Sequence, residues 1–380
     1  MFSIFKTFFW LGWISFGGPA AHIGYFRQTF VEKLKWLDDS DYAQIVALSQ
    51  FLPGPGSSQV GFALGYKRGG LLGACAAFIG FTLPSVLIMV LLAIASSHVT
   101  QTGAFQSIVH GLKLLAVVVV ADAAWGMYKN FCKNTLATTL CVVTAIALLT
   151  MPSIATQMIV LIIAAIVGAT YLKGETPAEP KPFQPSFAPL VIFAVLIVGL
   201  PFVAHFTPIL GLFNDFFQAG SLVFGGGHVV LPLLQNIVGD QLSQDAFLTG
   251  YAAAQAVPGP MFTFATYIGY ELLPSAPITG ALVATIAVFV PGFLLLLGVL
   301  KNWQSLAQNP KVAGAVSGVN AAVVGLLVSA LYQPVFTSAV MSPLDIALVL
   351  VGFYLLKTLK LPIIWMVLTF ITVGVVSALI

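Results

Sequence analysis

Charged side chains are scarce in this sequence. Only 7% of its 380 residues are Asp, Glu, Lys or Arg, where a soluble domain carries about 25%. That excludes a water-soluble globular chain. Cysteine is nearly absent too: Cys75, Cys132 and Cys141 are the only three, and their spacing fits neither a metal centre nor a redox pair. They read as packing residues, the usual role of a free cysteine, and no metal or cofactor is expected. The net charge of +3 is small and spread over the connections, so no basic patch suggests nucleic acid. There is no Walker A sequence, so energy is not expected from a nucleotide domain of this chain. There is no G-x-S-x-G and no paired-Asp arrangement within the apolar runs, which argues against an intramembrane protease or other enzyme. Short alternating strands are lacking as well, which excludes a barrel.

What remains is apolar. The chain is 59% hydrophobic with 30 Phe, and its mean hydropathy is +1.01. Apolar runs of about 18 residues or more recur along its length, the pattern of transmembrane helices. The expected fold is an all-α polytopic membrane protein of thirteen apolar segments. Trp36, Trp303 and Trp365 lie near segment ends and fit an interfacial belt.

Two of these segments are broken where a membrane helix should be continuous, at Phe16-Gly17-Gly18-Pro19 and at Pro53-Gly54-Pro55-Gly56. Both breaks return about 205–208 residues later, as Phe224-Gly225-Gly226-Gly227 and Pro258-Gly259-Pro260. Other positions follow in the same order. Gly12 aligns with Gly220, Gln50 with Gln255, Gly65 with Gly269, Gly73 with Gly280, Pro84 with Pro291, and Gly111 with Gly318. Lys113 thereby falls opposite Asn320. The chain is a duplication, with a first repeat over 1–172 and a second over 207–380. Between them, 173–206 holds a Pro-rich polar linker and an unpaired apolar run, Phe187 to Phe206. Because Phe9 to Pro19 has an internal copy, a cleaved signal peptide is not expected there.

Lys and Arg favour short cytoplasmic connections, and they alternate in opposite phase in the two halves. Arg27, Lys33 and Lys35, then Lys67 and Arg68, then Lys129 and Lys133 mark the first half; Lys301 and Lys311, then Lys357 and Lys360, mark the second. Matching connections carry opposite bias, the signature of an inverted repeat related by an axis in the membrane plane. Positive residues flank both ends of residues 7–26 and of 43–66. Re-entrant hairpins turning at the breaks satisfy that bias and leave about nine full crossings, four per half plus the linker run. The alternative is that all thirteen segments cross and one connection violates the bias. Either way the N-terminus is expected in the cytoplasm and the C-terminus outside.

Irregular backbone at membrane depth is tolerated only where it is buried in protein or lines a wet cavity. After each break a half-helix begins with unpaired N–H groups and a partial positive charge, a setting for an anion. The candidate binding residues are Phe16, Gly17, Gly18, Gln50, Pro53, Gly54, Pro55 and Gly56, with Phe224, Gly225, Gly226, Gly227, Gln255, Pro258, Gly259 and Pro260 in the second copy. Gln59 is a weaker candidate, and Ser57 and Ser58 fit helix caps. Lys113, inside an apolar run, would complement a divalent anion, or else snorkel to an interface or pair with an acid. His22, His228 and Asp122 are candidates for proton coupling, against the plainer reading of each His as a structural hydrogen-bonder.

Ser15-Phe-Gly-Gly-Pro-Ala-Ala-His22, Trp36-Leu37 and Gln50-Phe-Leu-Pro-Gly-Pro55 resemble the first half of the bacterial chromate ion transporters. Phe224-Gly-Gly-Gly-His228, Leu231-Pro-Leu-Leu-Gln235 and Ala256-Val-Pro-Gly-Pro260 resemble the second half of the same family, in its long two-copy form. The resemblance spans essentially the whole chain. It implies gradient-driven export of chromate across the bacterial inner membrane and resistance to chromate, with sulfate as the natural competitor. The alternatives are a transporter of sulfate or another oxyanion and, from another class, a passive anion channel. Oligomeric state stays open, a homodimer included. Met261 stands where the first copy has Gly56, so the two Pro-Gly-Pro breaks are not equivalent.

Overall fold

The computed structural model describes residues 1–16, 18–99, 103–172, 185–224, 230–238, 241–301 and 309–377. Gly17, Gly225, Gly226, Gly227 and His228 lie outside them. Among the described residues there is no β-strand, and the chain is an all-α polytopic membrane protein. Five stretches are long and apolar enough to span a bilayer: 56–95, 106–131, 187–206, 277–299 and 310–339. Shorter apolar helices accompany them.

The first half contains α1 (Phe2–Ile14), α2 (Gly18–Phe26), α3 (Asp39–Phe51), α4 (Gly56–Val99), α5 (Gly103–Phe131), α6 (Thr135–Thr150) and α7 (Ile154–Tyr171). Then comes α8 (Phe187–Val203). The second half has α9 (Pro208–Ser221), α10 (Val230–Val238), α11 (Gln244–Ala256), α12 (Phe264–Leu272), α13 (Pro277–Val299), α14 (Pro310–Ala330), α15 (Pro343–Phe353) and α16 (Ile363–Ser377). Helix starts follow local chemistry. Asp38, Asn134, Ser153, Thr207 and Ser243 accept from backbone N–H groups as N-caps, and Ser342 with Asp345 forms a capping box.

α1 and α3 have 13 residues each, about 20 Å at 1.5 Å per residue, too short for a hydrocarbon core of about 30 Å. They turn back rather than cross. Phe8 on α1 stacks on Phe30 at 4.7 Å and meets Phe26 edge-on at 5.7 Å, so the chain after the first break returns along α1. α4 is itself bent: Gly69 and Gly70 leave helical geometry, and the arms 56–68 and 71–99 fold together with Gly65 against Gly73. As a result Lys67 reaches Asp41 at 2.7 Å, Arg27 reaches Asp39 at 2.7 Å, and the Arg68 guanidinium lies 5.4 Å from the centre of the Trp36 ring. Both broken segments of the first half therefore begin and end at one face. The Arg27 guanidinium, beside Asp39 and Glu32 at that face, is held above its ordinary pKa by those carboxylates. In the second half Phe247 and Tyr251 on α11 pack against Phe264 on α12, giving a matching hairpin.

The halves interlock through small residues. α5 packs on α15 and α16, while α14 packs on α6 and α7. Gly111 lies against the Phe370 carbonyl and Gly374, and its counterpart Gly318 lies against the Ala164 carbonyl and Gly168. Without a hydrophobic drive between helices in lipid, such close approach is a main source of association. α8 stays on the outside: only 6% of its apolar window is buried, so it presents its side chains to lipid.

Candidate functional site

The two kinds of break meet across the repeat. The Gly54 N–H donates to the Val223 carbonyl at 2.7 Å, and the Gly259 N–H donates to the Ser15 carbonyl at 2.9 Å. Ser15 and Val223 precede the Phe-Gly-Gly breaks at equivalent positions; Gly54 and Gly259 are the central residues of the Pro-Gly-Pro breaks. Each copy thus inserts its second break into the first break of the other, the reciprocal contact that a two-fold relation produces. Both glycines are obligatory. Gly54 has φ +124° and Gly259 φ +95°, and a Cβ on Gly54 would stand 2.9 Å from the Gly292 Cα.

A crossing helix of the opposite copy supports each Pro-Gly-Pro turn. Ser85 Oγ donates to the Pro258 carbonyl at 2.6 Å. At the equivalent place Gly292 lies against Gly54, and Gln59 Nε2 bridges the Pro53 carbonyl at 2.9 Å and the Gly292 carbonyl at 3.0 Å. Two carbonyl acceptors fix which end of the Gln59 amide points there. Ser85 and Gly292 did not stand out in the sequence. The available signal was a small residue directly after each aligned proline, Pro84 and Pro291. Gln59, the weaker candidate, proves to be one of the side chains that join the copies.

His22 is buried completely. Its Nε2 lies 3.1 Å from the Ser15 carbonyl, which can only accept, so Nε2 carries the hydrogen. Nδ1 then accepts from Ser57 Oγ at 3.2 Å. The ring ties the first break to the start of α4 and has both nitrogens engaged.

Around that start several buried polar atoms have no partner. Ser15 Oγ, Ser58 Oγ, Gln59 Oε1 and, one turn from the supporting Ser85, Thr82 Oγ1 are all enclosed and unpaired. Native interiors rarely leave such groups without a partner, so each calls for a ligand, a water or a reason. Phe16, Gly18, Pro53 and Gly56 are half-buried, and Gln50 is exposed. In the second copy Pro258, Gly259, Pro260 and Met261 are buried, and a short 3-10 turn, Met261–Thr263, precedes α12. Gln255 Nε2 there contacts Met261 Sδ at 2.9 Å. Phe224 is half-buried. Of the two Pro-Gly-Pro breaks, the one with the more accessible half-helix start is therefore that at Gly56.

The charged candidates do not join the breaks. Lys113 pairs with Asp245 near the start of α11, about 18 Å along that helix from its Pro-Gly-Pro end. Asp122 pairs with Lys357. His110, three residues before Lys113, pairs with Asp345 at 2.7 Å.

The profile of a family described as "Chromate transporter" matches residues 2–169 and again 210–375. This chain belongs to the chromate transporter family. It is 29% identical to a chromate transport protein of Cupriavidus metallidurans over 92% of this chain and 86% of that one. It is 30% identical to a probable chromate transport protein of Synechococcus elongatus, covering 86% and 82%. An uncharacterised transporter of Methanocaldococcus jannaschii is 28% identical over the same shares. No solved structure matches the chain.

Proposed function

We propose that the protein is a secondary transporter that exports chromate from the cytoplasm through the inner membrane and so confers resistance. The N-terminus lies inside, the C-terminus outside, and the two copies have inverted topology. The observation that carries the reading is the reciprocal insertion of the breaks, Gly54 to Val223 and Gly259 to Ser15. It brings interrupted helices of both copies to one place, the arrangement by which transporters of inverted repeats bind substrate near the midplane. The anion binds at the start of α4, where N–H groups of Gly56, Ser57 and Ser58 and the Ser58 and Ser15 hydroxyls offer donors to oxyanion oxygens. Gln50 and Phe16 border the entrance. The break around Pro258–Pro260 supports this site from the other copy. A tetrahedral dianion fits such hydrogen-bonding neutral donors, which makes sulfate the competitor. Relatives named as chromate transport proteins favour chromate. Protons are the proposed coupling ion, with Asp122 and His228 as carriers; His22 serves as a hydrogen-bonded strut.

Everted vesicles test this directly. Imposing a proton gradient on vesicles that contain the protein should accumulate chromate above control vesicles, and excess sulfate should reduce the initial rate. No accumulation above control under any imposed gradient would sink the proposal.

A further inference from the structure

Lys113 and Asp345 are the two charged residues buried among the described residues. Both are paired at one face of α5. Lys113 reaches Asp245 on α11, and one turn earlier His110 reaches Asp345 at the start of α15. In both cases the nitrogen comes from the first copy and the carboxylate from the second. The Lys113 side chain is only 9% exposed, whereas that of Asp245 is 68% exposed. A nearly buried ammonium is thus satisfied by a carboxylate that reaches in from a water-accessible helix end.

The equivalent place in the other copy lacks this device. Lys113 corresponds to Asn320, and Asp245 to Ser40. Asn320 Oδ1 is buried without a partner. The packing differs in the same sense: α11 lies along α5, but α3 makes no comparable packing on α14. One hairpin is docked by a charged pair and its counterpart is not. Lys113 also sits well apart from the crossed breaks, so it is not another donor of that site.

We infer that Lys113 is a second oxyanion station on the path between the crossed breaks and the Asp245 end, and that Asp245 holds it shut in the anion-free protein by standing in for the anion. The inference rests on the oxyanion transport proposed above. A buried ammonium needs a negative partner, since leaving it alone in a low-dielectric setting is strongly unfavourable. An arriving dianion supplies that partner and frees Asp245 to return to water, where its charge is well solvated. Release of Asp245 undocks the outer end of α11 from α5. Arrival of the anion at the station and opening of that end are then one event. The uncharged Asn320 side opens without this requirement.

Two measurements on the full-length protein test the inference. The first is the half-saturating chromate concentration in everted vesicles for Asp245→Asn, Lys113→Met and the double variant. Loss of the competing carboxylate should lower it about fivefold, the scale of a partly exposed ion pair. Lys113→Met should raise it, and Asp245→Asn should have no effect in the Lys113→Met background, because the carboxylate acts only through the ammonium. An unchanged or raised value in Asp245→Asn, or the same fall in both backgrounds, overturns the station. The second measurement needs no substrate. Ala252, two turns beyond Asp245 on the same side of α11, is 1% exposed. In a background with Cys75, Cys132 and Cys141 replaced, Ala252→Cys should react with a hydrophilic maleimide about fivefold faster once Asp245→Asn is added, and Asp245→Glu should restore protection. Equal rates overturn the latch. If the unaltered protein takes up no chromate at all, the transport proposal fails, while the labelling still decides the latch.

Discussion

Gly54→Ala is the sharpest probe of the crossed breaks, because two separate costs follow from coordinates. Gly54 has φ +124°, a backbone region where a side chain costs on the order of 1–3 kcal/mol. The new methyl would also stand 2.9 Å from the Gly292 Cα and 2.9 Å from Gln59 Nε2. Gln59 can move only by releasing the Pro53 and Gly292 carbonyls, and Gly292 is backbone. Overpacking of this kind typically costs about 1–3 kcal/mol. Together they amount to roughly 2–6 kcal/mol, a large part of the 5–15 kcal/mol by which folded proteins are usually stable. The Gly54 N–H bond to Val223, which joins the copies, would weaken too. The assay is the thermal midpoint of purified protein alongside chromate uptake in vesicles. Gly24→Ala is the control, since nothing lies within 4 Å of a Cβ there and its φ is unexceptional. Gly54→Ala should lower the midpoint by several degrees and abolish uptake, while Gly24→Ala leaves both near the starting values. A Gly54→Ala protein with normal midpoint and uptake would refute the packing argument.

Further outcomes follow from single contacts. Ser58→Ala removes a buried hydroxyl that has no partner, so stability should hold within about 1 kcal/mol, yet the half-saturating chromate concentration should rise roughly tenfold if that hydroxyl binds the anion; an unchanged value would take Ser58 out of the site. Single cysteines at Asp41 and Lys67, which touch in the fold, should both react from the same side of the membrane; labelling from opposite sides would contradict the hairpin. His22→Gln should preserve the pH profile of uptake, because both ring nitrogens are used in fixed hydrogen bonds, whereas a flattened profile would make His22 a proton carrier. Gly318→Val should impair assembly, since a side chain there collides with the Ala164 carbonyl and Gly168; normal yield and thermal midpoint would show that this helix contact tolerates separation.

Much of the fold was legible in one dimension because lipid leaves few options. A chain this apolar must satisfy its backbone inside helices, so composition alone decides the class. Two unlike Gly/Pro breaks kept in both copies, with lysines on opposite connections, point to the duplication and to where the chain departs from helix. The re-entrant course of 43–66 was inferred from Lys67 and Arg68 matching the charge at the other end, and the Lys67–Asp41 pair joins those ends in space. Which break touches which was not legible. Hydrogen bonds from Gly54 to Val223 and from Gly259 to Ser15 span well over 150 residues, and a local pattern carries no record of such partners. For the same reason Gln50 and Gln255, aligned and adjacent to the breaks, drew more weight than Gln59, whose amide bridges the copies. Lys113 could be recognised as costly from its apolar surroundings, but not as the partner of Asp245, an acid that in sequence looks like an ordinary loop residue. Sequence determined that helices break and that the pattern occurs twice; only the tertiary structure decided how the two copies cross, because that depends on backbone approaching backbone at glycines, and proximity of that kind is a property of the packed chain.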